Sequence, residues 1–140
     1  MPADYQHIHR EHQADYGRKL SVWAQDHLAN RYIDRTHFIF ELLQNAEDAL
    51  SERENGTLPT LVKFNLRTDG LEVRHFGKPF TAKNVKSICA INESTKNADL
   101  TEIGCFGIGF KSVYAFTKRP EVHSGDEHFG IEGFVLPVAV

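Results

Sequence analysis

The ten residues ELLQNAEDAL, Glu41 to Leu50, decide how the rest of the sequence is to be read. At about 100° per residue on a helix, Glu41, Asn45 and Asp48 fall on one narrow stripe. Leu42, Leu43, Ala46, Ala49 and Leu50 flank it, so a carboxylate and a carboxamide stand at the edge of an apolar face. A helix that needed only a core would carry Leu or Ala there, because desolvating a carboxylate is costly unless something compensates it. A bound metal ion and an ordered water would compensate it. A distant stretch, IGCFGIGFKS from Ile103 to Ser112, supplies a complement. Its glycines Gly104, Gly107 and Gly109 allow a backbone to approach phosphate groups closely and to lead them into a helix N-terminus.

Working outward, the chain of 140 residues is long enough for one core and one domain. Hydrophobic residues make up 41% and charged residues 25%, the balance of a soluble globular protein. A net charge of −3 argues against electrostatic binding of nucleic acid as the main task. No apolar run approaches the ~20 residues that span a bilayer, and the start, MPADYQHIHREH, is too polar for a signal-peptide core. Cys89 and Cys105 are too far apart for a Cys-x-x-Cys site, and read as two reduced thiols of a cytoplasmic protein.

Taken in order, Ala3 to Tyr16 is polar and helix-permissive, with Gly17 as its stop, and Leu20 to Ala29 has helical spacing. His7, His9, His12 and His27 invite a metal reading. No acidic or cysteine partner stands at ligand spacing, so they read as histidines of solvated helices. Asp34 or Thr36 caps the helix that carries the stripe. TLVKFNL and LEVRHF alternate apolar and polar residues around Arg67-Thr68-Asp69-Gly70, a hairpin signal. Thr81 is placed to cap a helix through Val85, Ile88 and Ile91. Asn92 to Glu102 is a polar loop, and Gly107 to Phe116 the next helix. Glu121–His123, Phe129–Glu132 and Phe134–Val135 read as strands, with Ser124-Gly125-Asp126-Glu127 as a turn. Phe106, Ile108, Phe110, Val113, Tyr114 and Phe116 are expected in the core, and Lys111 at the surface.

Four segments together, Asp34–Leu50, His75–Thr81, Ile91–Lys96 and Ile103–Tyr114, resemble the GHKL ATPase superfamily of gyrase B, heat-shock chaperones, histidine kinases and MutL. Their order and spacing agree from about Tyr16 to Ile131, and the likeness is strongest to the sacsin-type N-terminal ATPase domain. The resemblance implies an α+β fold: a two-layer α/β sandwich of Bergerat type, with helices on one face of a mainly antiparallel mixed sheet. Residues 1–140 would form a single domain with its core at 16–135. Family members continue beyond the apolar end, Leu136-Pro137-Val138-Ala139-Val140, so C-terminal abbreviation is expected, along with dependence on further domains or a second subunit.

The resemblance also implies roles. Glu41 would be the general base that orients water toward a γ-phosphate. Asn45 would offer its carboxamide oxygen to Mg2+, a hard cation that bridges phosphates. Asp48 would support the pocket through hydrogen bonds or stand at its rim; both readings stay open. In HFGKPF the superfamily's adenine-binding aspartate is replaced by His75 and its second glycine by Pro79, while Gly77 remains. A neutral imidazole nitrogen, or a backbone carbonyl, would have to accept the adenine amino hydrogen. Ser94, Thr95 and Lys96 would close as a lid over the γ-phosphate. Gly104, Gly107, Gly109 and the adjoining Phe110 complete the nucleotide-binding set. The reading is Mg2+-dependent ATP binding with slow hydrolysis, coupled to lid closure and association. A non-catalytic nucleotide switch and a histidine kinase are the alternatives. The kinase lacks an acceptor-histidine helix pair in this sequence.

Overall fold

In the computed structural model, residues 1–16, 36–54, 56–90 and 109–140 are described. Their elements are α1 (Tyr5–Tyr16), α2 (His37–Glu52), β1 (Val62–Leu66), β2 (Leu71–His75) and α3 (Ala82–Ile88). A 3₁₀ helix (Phe110–Ala115) follows, then β3 (Glu121–Ser124), β4 (Glu127–Glu132) and β5 (Leu136–Ala139). The result is a small α+β fold. The strands form two antiparallel sheets, β1-β2 and β3-β4-β5, where one mixed sheet was expected. Both remain compatible with a layer of helices against a layer of strands. No helix among the described residues is long and apolar enough to cross a membrane.

Local chemistry accounts for most boundaries. The β1–β2 hairpin pairs Leu66 with Leu71, and the Arg67 amide donates to the Gly70 carbonyl at 2.8 Å across the Asp-Gly turn. Thr81 opens α3 with a reciprocal cap: its hydroxyl accepts from the Asn84 amide, and the Asn84 side chain accepts from the Thr81 amide at 2.8 Å. Thr36 stands at the start of α2 without a side-chain capping bond. The predicted helix at Leu20–Ala29, the capping Asp34 and the loop Asn92–Glu102 lie outside the described residues. So do Phe106 and Ile108.

Four boundaries differ from the sequence reading. The helix capped by Thr81 stops at Ile88, with Cys89 as its C-cap, rather than running through Ile91. The β3–β4 ladder runs to the Ser124–Glu127 pair, so the turn is Gly125-Asp126 alone, with Gly125 at φ 60°. Phe134–Val135 is a turn, entered through Gly133 at φ 53° and Phe134 at φ 71°. The strand is the following Leu136–Ala139, which includes Pro137. Among the described residues β5 borders β4 alone, and an edge strand tolerates a residue that cannot donate. Finally, the segment after the glycine run winds as a 3₁₀ helix of six residues.

The core is Ile8, Val85, Ile88, Cys89, Phe110, Val113, Phe129 and Ile131. Phe129 and Ile131 are fully buried from β4, while His128 and Glu132 beside them face water, the period of a half-buried strand. Phe116 stays half-exposed but stacks on Phe38 at 4.6 Å between ring centroids. Burial pushes the Cys89 thiol up to about 12, a little offset by the Lys111 charge, so it behaves as an inert core residue.

Buried polar groups fasten the elements together. Glu127 is 2% exposed; its carboxylate accepts from the Ala3 amide at 3.0 and 3.1 Å and from the Tyr5 hydroxyl at 2.6 Å. The Tyr5 oxygen in turn accepts from the His128 amide at 2.9 Å. Burial, then the Glu127 contact, pushes the Tyr5 phenol up to about 12. His12 is buried rather than solvated: its Nδ1 lies 2.9 Å from the Val135 carbonyl, and His9 Nδ1 lies 3.3 Å from that of Pro137. These two rings seat α1 on the edge strand and cover its free carbonyls.

Lys111 overturns its expected place at the surface. It is 2% exposed, and its Nζ donates to the Ile88 carbonyl at 3.2 Å and the Phe134 carbonyl at 3.0 Å. Burial lowers its pKa from 10.5 to about 8. Above pH 8 the folded state has shed a proton that the unfolded chain still binds, so stability rises with pH there. From about pH 9 the buried Cys89 thiol opposes this, because the unfolded chain ionises first. Urea titrations of the wild type should therefore show a gain of about 1 kcal/mol from pH 7 to 9. Lys111→Met should flatten that profile. An equal slope in the variant would remove Lys111 as its source.

Candidate functional site

The stripe forms as its spacing requires. Ala46 is fully buried beneath α2, Phe38 and Leu42 pack against the core, and Glu41, Asn45 and Asp48 are each partly buried along one side. The Glu41 side chain keeps 29% of its surface, so the acid is neither sealed in nor free in solvent.

Glu41 is held from two directions. Its Oε1 lies 2.8 Å from Nε2 of His37, one turn earlier. Its Oε2 side lies against the backbone of Gly109, where a built Cβ would meet Oε2 and approach Cδ to 2.9 Å. The end of the glycine run therefore rests on the acid of the stripe, and α2 packs along the 3₁₀ helix that follows. The partnership with His37 was not foreseen from the residues. Its i,i+4 spacing to Glu41 was the available signal.

The second glycine contact lies at the other end of α2. A Cβ on Gly77 would stand 2.6 Å from Ala49 Cβ and 2.8 Å from its carbonyl carbon. The Lys78 amide donates to the Ala49 carbonyl at 2.8 Å. Arg53 at the C-cap adds bonds to the Pro59 carbonyl at 3.0 Å and the Thr60 hydroxyl at 2.9 Å, fastening the hairpin's ends to the helix. From Glu41 to Ala49 the helix rises about 12 Å. His75, Gly77, Asn45, Glu41 and Gly109 thus border one helix.

His75 departs from its expected part. Its Nδ1 accepts the Gly77 amide at 3.1 Å, so in the neutral ring that nitrogen is occupied and Nε2 carries the hydrogen. Desolvation holds its pKa below the usual imidazole value, which favours the neutral form. Asp48 turns along the helix surface, where its Oδ1 accepts from Gln44 Nε2 at 3.2 Å. That bond fits the rim reading better than pocket support. The Phe110 side chain is core, 9% exposed and edge-on to Tyr114, so only its backbone remains to face a ligand. Ser94, Thr95, Lys96, Gly104 and Gly107 lie outside the described residues.

Among the described residues no group of three or more His, Cys, Asp or Glu side chains could hold a metal ion. A cation at Asn45 would rely on ligand oxygens and water for most of its shell. A polar cleft of ≈ 330 Å³ opens elsewhere, between α1 and α3. Its Lys86 pairs with Glu11 at 3.2 Å, so charges there satisfy each other.

The class defined so far is a small α+β unit in which one amphipathic helix meets a glycine at each end of a polar stripe. Residues 73–132 match the family model described as the Sacsin domain. The chain is 34% identical over 139 residues to Protein NO VEIN of Arabidopsis thaliana, a match covering 95% of this chain and 5% of that protein. It is 33% identical over 109 residues to Sacsin of Homo sapiens, covering 71% of this chain and 2% of that protein. These similarities support a sacsin-like family for this chain, which spans a small fraction of the length of both relatives. No solved structure matches it significantly.

The two glycine contacts should respond differently to a methyl group. Gly77→Ala drives a Cβ into helix backbone that cannot yield, and should cost about 1–3 kcal/mol in urea unfolding. Gly109→Ala meets the far end of a flexible side chain, so Glu41 should swing aside with a smaller loss of stability. Equal losses for the two variants would show that the Glu41 carboxylate is fixed as firmly as backbone.

Proposed function

We propose that this chain is a GHKL-type nucleotide-binding unit of Bergerat character, which binds ATP with Mg2+ along α2 and hydrolyses it slowly. The observation that carries the reading is the seating of Gly109 on Glu41. A side chain at position 109 would collide with the acid. Its absence leaves backbone and carboxylate facing the same place, which suits a phosphate chain approached by amides and a water approached by a base.

In this reading Glu41 accepts a proton from the attacking water, and the bond from His37 orients its carboxylate. Asn45, one turn on, directs its carboxamide oxygen to Mg2+. The ion would neutralise phosphate charge in the transition state. Ser94, Thr95 and Lys96, ahead of the glycine run in the sequence, would contribute hydroxyls and an ammonium. At the base end, His75 reverses the aspartate's polarity: with Nδ1 engaged by Gly77, it offers Nε2–H as a donor. A donor fits a ring-nitrogen acceptor of adenine and leaves the amino group to a backbone carbonyl. Lid closure, and the work it drives, would act in concert with further domains or a second subunit.

Calorimetric titration with ATP, ADP and GTP, with and without Mg2+, paired with phosphate-release assays, tests the assignment. Wild type should bind ATP in a Mg2+-dependent manner. Glu41→Ala should retain binding and lose phosphate release by about 100-fold or more. Asn45→Ala should lose the Mg2+ dependence. Binding without release in the wild type would favour a nucleotide switch, and γ-label appearing covalently on the protein would favour a kinase. No binding of any nucleotide would sink the proposal.

A further inference from the structure

On the opposite side of the sequence from the helix stripe, the β3–β4 hairpin sets two histidines directly across from each other. His123 and His128 are register partners, and both are exposed. Their Nδ1 atoms are 3.0 Å apart, with the rings tilted at 45°. Nδ1 is a donor in one neutral ring and an acceptor in the other, so a single proton holds the pair. The Glu121 carboxylate lies 3.6 Å from Nε2 of His123 and favours the hydrogen on that nitrogen. His123 Nδ1 is then the lone pair, and His128 Nδ1 carries the shared proton.

We propose that His123 and His128 form a chelating site for a divalent transition-metal ion of the copper(II) or nickel(II) class. With metal–nitrogen bonds of about 2.05 Å, donors 3.0 Å apart subtend about 94° at the ion. That angle is the cis angle of tetragonal and octahedral ions; a tetrahedral ion would need the nitrogens about 3.3 Å apart. A small rotation of both rings points the two lone pairs at one position, and exposure makes that rotation cheap. The shared proton moves to Nε2 of His128, so both nitrogens bind as neutral imidazole. Glu121 on the far nitrogen of His123 is the carboxylate that orients a ligating ring. Two protein ligands leave the remaining positions to water. The pair occupies only the hairpin and is independent of the nucleotide reading.

The test is titration of the full chain with Cu(II), Ni(II) and Zn(II), followed by calorimetry and by electron paramagnetic resonance of the Cu(II) form. One ion should bind per chain at the tightest site, Ni(II) more tightly than Zn(II), with two equatorial imidazole nitrogens in the Cu(II) spectrum. His123→Asn and His128→Asn should each weaken binding about tenfold or more. The double variant should weaken it further, since a single remaining imidazole still holds the ion by one bond. His7→Asn, which removes a different exposed histidine beside a carboxylate, should leave the affinity unchanged. Both exposed hairpin substitutions should fold normally by circular dichroism. Affinity within twofold of wild type in either hairpin variant, or loss of the tight site in His7→Asn, would overturn the proposal.

Discussion

A carboxylate and a glycine compete for the same volume where Glu41 meets Gly109, and the arrangement of the molecule follows from that contact. Any Cβ at position 109 would enter the space that the Glu41 carboxylate holds. The contact orients α2 so that its polar stripe looks toward the end of the glycine run, with Ala46 beneath and His37 beside the acid. At the far end of the helix Gly77 repeats the device against Ala49, this time with backbone on both sides. One contact is rigid and the other has a side chain that can move. On the proposed reading, that combination gives a fixed end that sets the register and an end where a group can swing onto its ligand.

The remaining elements are tied down by polar groups as well as by the apolar core. Glu127 draws in the first residues of the chain, His9 and His12 draw α1 onto β5, and Lys111 joins α3 to the turn before β5. Each is a buried or half-buried group with its partners in place, and each would be costly if a partner were lost. Removing one partner strands a charge or a carbonyl, so these bonds specify where helices sit even where their net contribution to stability is modest. The Lys111 amine illustrates the balance: it secures three segments while burial works against its own charge.

Period and turn chemistry were readable in the residues, and so were the parts of the fold that depend on them. The stripe on α2, the Asp-Gly hairpin and the Thr81 cap all follow from side chains within a few positions of one another. Long-range choices were hidden. LPVAV became an edge strand only because β4 was there to pair with it, and a proline is acceptable on that border. Lys111 and His12 look like surface residues by type, yet carbonyls more than twenty positions away take their hydrogens. The site was divided in the same way. Glu41 and Gly109 were chosen for their chemistry and do meet, whereas Phe110 is core and Asp48 bonds along its own helix. His75 was the subtler case, since only coordinates show that Gly77 takes the nitrogen a ligand would have used.

The contacts of Glu41 and Lys111 bear on one short segment from opposite directions. Gly109 precedes the 3₁₀ helix and rests on α2, while Lys111, two residues on, reaches through the core to the carbonyls of Ile88 and Phe134. A 3₁₀ helix has weaker internal bonds than an α-helix and holds its shape poorly alone. Here its position is imposed from outside, by an acid on one flank and a buried amine on the other. A shift of the Glu41 carboxylate toward a ligand would release one flank while leaving the other anchored, so the segment would pivot rather than detach. On the proposed reading, the buried amine would keep the segment tied to the core while the stripe on α2 changed its contacts.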